Sequence, residues 1–140
     1  MAITKGYKAL IDEAMAQVKT LSPAEAHALL DDPSVQFVDI RDVRELERAG
    51  MIPGAFHAPR GMLEFWVDPD SPYHKPVFAE AKTFVFYCAA GWRSALATKT
   101  VQDMGLAPVA HVDGGFEAWN KAGLPTVPRP AHSTPSKKIG

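Results

Sequence analysis

From Tyr7 to Thr20 the apolar residues Leu10, Ile11, Ala14, Met15 and Val18 recur at helical spacing, which predicts an amphipathic helix lying against its own domain. Ser22-Pro23-Ala24-Glu25 has the form of a capping box with proline at the first helical position, so a second helix runs through Leu30 before Asp31-Asp32-Pro33 turns the chain. Val35 to Ile40 reads as a core strand. Arg41 to Ala49 is dense in charge around Val43 and Leu46, as in a solvated helix or turn. Ile52-Pro53-Gly54-Ala55-Phe56 turns into a short strand, and Ala58-Pro59-Arg60 leads the chain out of the sheet. Thr83 to Tyr87 is unbroken by polar alternation, which suits a strand covered on both faces. Ser94 is the expected N-cap of a helix that runs to Met104 and is ended by Gly105. Ala107 to Val112 is a last strand, and Gly114-Gly115 turns into a helix from Phe116 to Ala122.

Gly61 to Pro76 is the least regular stretch, because prolines 69, 72 and 76 deny it a long helix. Its aromatics Phe65, Trp66 and Tyr73 either wall a pocket or pin the loop to the surface. Strands alternating with helices predict an α/β architecture with a mainly parallel sheet covered on both faces. The expected organisation is an amino-terminal helix over 1–20 packed on the domain, the domain itself over 21–126, and a mobile tail over 127–140 that is rich in proline and basic at its end.

At 140 residues with 46% hydrophobic content, the chain suits one domain with a substantial core. Fifteen basic and sixteen acidic side chains leave a formal charge of -1, so no overall field recruits nucleic acid or an anionic membrane. Neither a signal-peptide pattern nor a bilayer-length apolar run is evident, and a cytoplasmic protein is expected. One cysteine excludes an internal disulfide and a cysteine-rich zinc site.

That cysteine, Cys88, stands where a strand passes into a helix, and the chemistry of the chain centres there. A strand-to-helix loop gathers unpaired N–H groups and the positive end of the helix dipole, which favours an anion. A free thiol titrates near ~8.5, so a modest depression would make it mostly thiolate at neutral pH. Ala89, Ala90 and Gly91 are small enough for the backbone to curl and aim its amides inward as a nest, and Arg93 adds a positive charge. Trp92 is expected to point outward and shape the mouth or meet a partner. Arg60, beyond a strand end, is a candidate for binding an anionic group such as a sulfonate, with an ordinary solvated arginine as the alternative. Asp39 or Glu45 is expected to reach and hold the loop arginine, Asp39 ranking first because it lies at the carboxyl end of a strand. His27, His57, His74, His111 and His132 show no ligand spacing and read as structural or surface residues, so no metal is expected.

At these residues the chain resembles the rhodanese family of sulfurtransferases. The family's active loop has the form Cys-x-x-Gly-x-Arg-Ser, matched by Cys88, Gly91, Arg93 and Ser94. Asp39-Ile40-Arg41 with Gly50-Met51-Ile52-Pro53-Gly54-Ala55 is similar to two upstream signatures, which brings in Arg41 as a supporting residue. Met51 stands where the family usually carries histidine. Asp113-Gly114-Gly115-Phe116, Trp119 and Gly123-Leu124-Pro125 are similar to the closing motif.

The resemblance implies a three-layer fold with five strands and transfer of sulfane sulfur from a donor such as thiosulfate to cyanide or a thiol. The carrier would be a persulfide on Cys88, with a protein as one possible acceptor and no cofactor. Two rivals stand beside it. A cysteine phosphatase uses a similar loop, but with five residues between cysteine and arginine where this chain has four. A non-catalytic adaptor or redox sensor would keep the fold and work through contacts or through oxidation of the thiol.

Overall fold

The computed structural model describes residues 2–130. Its centre is a five-stranded parallel sheet in the order β1-β5-β4-β2-β3. The strands are β1 (Lys19–Leu21), β2 (Val35–Asp39), β3 (Phe56–His57), β4 (Thr83–Tyr87) and β5 (Val109–Val112). The helices are α1 (Tyr7–Gln17), α2 (Pro23–His27), α3 (Val43–Ala49), α4 (Leu63–Val67), α5 (Trp92–Asp103) and α6 (Gly115–Lys121).

Alternate residues of the central strands feed two separate cores, as the pleat requires. Val38, Phe84, Phe86 and Val109 meet Leu63 and Val67 of α4 and Ala97 and Val101 of α5. On the opposite face Phe37, Val85, Tyr87, Ala110 and Val112 meet Ala26 of α2 and Phe116 and Trp119 of α6. Such double coverage explains why β4 is apolar at nearly every position. Each fully buried large side chain of this kind contributes roughly 1.5–3 kcal/mol relative to leaving it in water.

Some expectations hold in outline and others need correcting. The helical pattern at the amino terminus stops at Gln17, and Lys19–Leu21 forms the edge strand β1 alongside β5. Three residues are too few to show a period of two, so their strand character comes from the partner strand. The second helix closes at His27 instead of Leu30, its capping box between Ser22 and Glu25 being intact. Charged Arg41 to Ala49 contains α3, started by a second capping box in which Asp42 accepts from the Arg44 N–H and Glu45 accepts from the Asp42 N–H. The irregular stretch after Gly61 still holds one short helix, α4, ahead of its first proline. Val127, expected in a mobile tail, exchanges two backbone hydrogen bonds with Met51, at 2.8 and 2.9 Å. The tail beyond residue 130 lies outside the described residues. No helix among those described is long and apolar enough to cross a membrane.

Candidate active site

Parallel strands place all their carboxyl ends along one edge of the sheet, where loops converge. Register sets the neighbours: Asp39 of β2 lies beside Tyr87 of β4, and Phe86 beside His111 of β5. Cys88 follows β4 immediately, and the chain then curls through Ala89, Ala90 and Gly91 into α5. Gly91 takes φ +103°, a left-handed conformation that favours glycine, and it opens the helix without any side-chain cap. A helix lacking a side-chain cap leaves its first N–H groups to other acceptors.

Those groups turn onto the sulfur. The Gly91 N–H donates to Cys88 Sγ at 3.1 Å and the Ser94 N–H at 3.3 Å. Among the described residues, the N–H groups of Ala89, Ala90, Trp92 and Arg93 find no protein acceptor. Cys88 is 1% exposed, which puts the sulfur at the floor of the loop. Two amides, of Gly91 and Ser94, thus face the sulfur, and the helix starts earlier than expected: α5 begins at Trp92, and Ser94 lies inside its first turn, fully buried. Because the sulfur takes the place of a capping side chain, the Ser94 hydroxyl is free to face it, at 3.5 Å.

Packing from α6 holds the loop open. The Phe116 N–H donates to the Cys88 carbonyl at 2.8 Å, and the Glu117 N–H to the Ala89 carbonyl at 2.9 Å. These bonds tie the two carbonyls to the start of α6. Gly115 makes the approach possible, since a Cβ there would lie 2.5 Å from the Cys88 oxygen and 2.6 Å from that of Ala89. The glycine pair of the closing motif thus acts on the cysteine loop by contact.

The charged residues distribute differently from expectation. Arg93 is held by Glu45, with Nη1 donating to Oε2 at 2.9 Å and Nη2 to Oε1 at 3.0 Å. The Arg93 guanidinium holds the Glu45 carboxyl below the usual carboxylate range, against the opposing effect of partial burial. Asp39, ranked first for this role, instead accepts from the Arg41 backbone N–H and guanidinium. Its short side chain reaches only two residues ahead, whereas the longer Glu45 arm reaches across from the first turn of α3.

Arg41 is itself buried, donating to the Gly50 carbonyl at 2.7 Å and lying 4.3 Å from the centre of the Phe116 ring. It ties β2, the turn at Gly50 and α6 together. Arg60 forms an ion pair with Glu64, four residues on, and the sulfonate-binding expectation gains no support from that contact. Trp92 points outward, 57% exposed, and its ring centre lies 5.1 Å from that of Tyr7 on α1.

One residue that sequence reasoning assigned to structure or surface lies beside Ser94, one contact removed from Cys88. His111, 1% exposed on β5, sits with Nδ1 at 3.0 Å from Ser94 Oγ and Nε2 at 3.1 Å from Thr20 Oγ1. Burial lowers its pKa below the usual histidine value, so the ring is neutral at physiological pH. Only the position of His111 in a fully buried strand of alternating faces could have flagged it.

A family model described as a rhodanese-like domain matches residues 22–122. The chain belongs to the rhodanese family. A sulfurtransferase of Allochromatium vinosum is 31% identical over 106 residues, covering 76% of this chain and 91% of that one. An uncharacterized protein of Synechocystis is 35% identical over 109 residues, covering 77% of this chain, and the chain spans 55% of its length.

Among solved structures, a protein of unknown function from Rhodopseudomonas palustris, described as a possible tyrosine phosphatase, is 60% identical with a TM-score of 0.88, covering 91% of this chain and 98% of that one. The polysulfide-sulfur transferase homodimer of Wolinella succinogenes is 31% identical with a TM-score of 0.67, covering 92% of each chain. The rhodanese-family relatives support a general sulfur-transfer role.

Proposed function

We propose that this rhodanese moves sulfane sulfur from a donor such as thiosulfate to cyanide or a thiol, through a persulfide on Cys88. In the first step the thiolate lone pair attacks the outer sulfur of the donor, the donor's S–S bond breaks, and sulfite leaves with the bonding electrons. In the second, an acceptor thiolate or cyanide attacks the terminal sulfur and Cys88 departs as thiolate. The observation that carries this reading is the pair of N–H groups, from Gly91 and Ser94, aimed at Sγ from the start of α5. They stabilise negative charge on sulfur before and after each transfer, and the free N–H groups of the loop offer the same to the terminal sulfur. With the charge held this way, no paired general base is required. So buried a sulfur favours slender donors, and acceptors presented on a flexible arm.

The phosphatase reading is favoured by the description of the Rhodopseudomonas palustris relative. Two observations weigh against it. Four residues separate Cys88 from Arg93, giving a ring suited to one sulfur atom more than to a tetrahedral phosphoryl group. Both terminal nitrogens of Arg93 are occupied by Glu45, where a phosphatase needs them for phosphate. Persulfide formation is tested by intact mass after incubation with thiosulfate: wild type gains one sulfur and Cys88→Ser gains none. If wild type stays unmodified with thiosulfate and with other sulfane donors, the adaptor reading replaces this one; aryl-phosphate hydrolysis that depends on Cys88 would establish the phosphatase.

A further inference from the structure

Ser94 Oγ carries one hydrogen and has three neighbours able to accept it: His111 Nδ1 at 3.0 Å, the Gly91 carbonyl at 3.3 Å and Cys88 Sγ at 3.5 Å. Which of them receives it depends on the tautomer of the ring. If Nδ1 is bare, it lies nearest and takes the hydroxyl proton, leaving Ser94 able only to accept from a neutral thiol. If Nδ1 carries the proton, it donates to Ser94 Oγ, and the hydroxyl hydrogen is released to the remaining two acceptors. An ionised sulfur then prevails over the neutral carbonyl, because charge-assisted hydrogen bonds are about twice as strong as neutral ones.

We propose that Thr20 and His111 are positioning residues: the Thr20 hydroxyl donates to Nε2, this places the ring proton on Nδ1, and Ser94 is thereby turned to donate to the anionic sulfur of Cys88. The chain of contacts runs from the edge strand β1 through β5 to the first turn of α5, with separations of 3.1, 3.0 and 3.5 Å. No bond breaks and no proton is passed along it; each hydroxyl and ring N–H is only oriented. A neutral ring is needed for this, and burial supplies it. The charged groups around the chain are Cys88 itself, Arg93 on α5 and Asp113 at the end of β5. Asp113 and an ionised Cys88 both favour the doubly protonated ring, and burial opposes them, outweighing Asp113. The role rests on the sulfurtransferase reading, since a persulfide is the anion that Ser94 would serve.

The test follows reactivity of the thiol without requiring sulfur transfer. Thr20→Val keeps the shape of an edge-strand residue that does not touch the loop, and it should slow alkylation of Cys88 by iodoacetamide about threefold to tenfold at neutral pH. The same variant should match wild type near about pH 10, where an ordinary thiol is ionised regardless. His111→Phe should slow the reaction at neutral pH at least as much, and His111→Asn, which can keep an N–H toward Ser94, should recover part of the loss.

Equal slowing at both pH values would show a packing effect, and no slowing would show no coupling; either result overturns the proposal. Ring-nitrogen NMR of wild type provides a second arm, with a proton on Nδ1 expected and a proton on Nε2 sinking the idea even if the thiol resists alkylation. A protein with the expected alkylation and NMR behaviour that takes no sulfur from any donor would refute the sulfurtransferase reading alone.

Discussion

Glu45 and Arg93, 48 residues apart, meet through two parallel hydrogen bonds of 2.9 and 3.0 Å that hold the cysteine loop to the first turn of α3. The loop's positive charge is therefore compensated, and Arg93 is placed to brace the loop. Arg93 is 42% exposed, so the pair adds little to global stability and acts chiefly on loop order. Arg93→Ala should lower kcat/KM with thiosulfate about tenfold. Glu45→Gln should lower it as well, and the double variant should lose less than the sum of both, as expected for partners in contact. Steady-state rates of the four proteins decide this; strict additivity, or an Arg93→Ala rate equal to wild type, removes the bracing role.

Gly115→Ala should disable the loop from outside it. The added Cβ meets two backbone oxygens of the loop at 2.5 and 2.6 Å, at a residue with φ +62°. Overpacking against backbone costs about 3 kcal/mol, and sulfur transfer should fall with it. Gly54→Ala supplies the control, since φ is +76° there and nothing lies within 4 Å, leaving a backbone cost of only about 1 kcal/mol. Thermal unfolding that ranks the two variants equally would contradict the bracing role of Gly115.

Asp39→Asn should act through stability. It strips the counter-charge from Arg41, which is 2% exposed, and an unpaired buried charge costs about 3 kcal/mol. A melting temperature several degrees lower is expected, with activity retained at temperatures where the protein stays folded. Normal melting with lost activity would instead give Asp39 a direct part in the chemistry.

Stability should also depend on pH through His111. Burial lowers its folded pKa below the 6.5 of an exposed ring, so beneath that pH the unfolded chain binds more protons than the native one. The contribution is complete above about pH 6.5 and is lost as pH falls toward the folded pKa. The carboxyl of Glu45, also lowered, adds a second loss only at more acidic pH, below its ordinary 4.5. Melting temperatures of wild type should drop between pH 7.5 and 5.5, and the drop should be smaller in His111→Phe. Identical pH profiles for the two proteins would count against a buried neutral ring.

What could be read from residue order alone is local. Cys88 to Ser94 announces an anion-holding loop because small residues, a glycine and a helix start follow one another within a few positions. The apolar run of β4 announces double coverage because burial on both faces leaves no polar alternation. Pairings across the fold are another matter. The choice of Glu45 over Asp39 as partner of Arg93 depends on which arm spans the gap between α3 and α5. The strand character of Lys19–Leu21 depends on β5 lying beside it. Thr20 and His111 are 91 residues apart, and neither belongs to any motif. Only the parallel register that sets β1 against β5, and β5 against β4, brings their side chains into line with the sulfur, because a hydrogen bond is decided by distances that no spacing along the chain encodes.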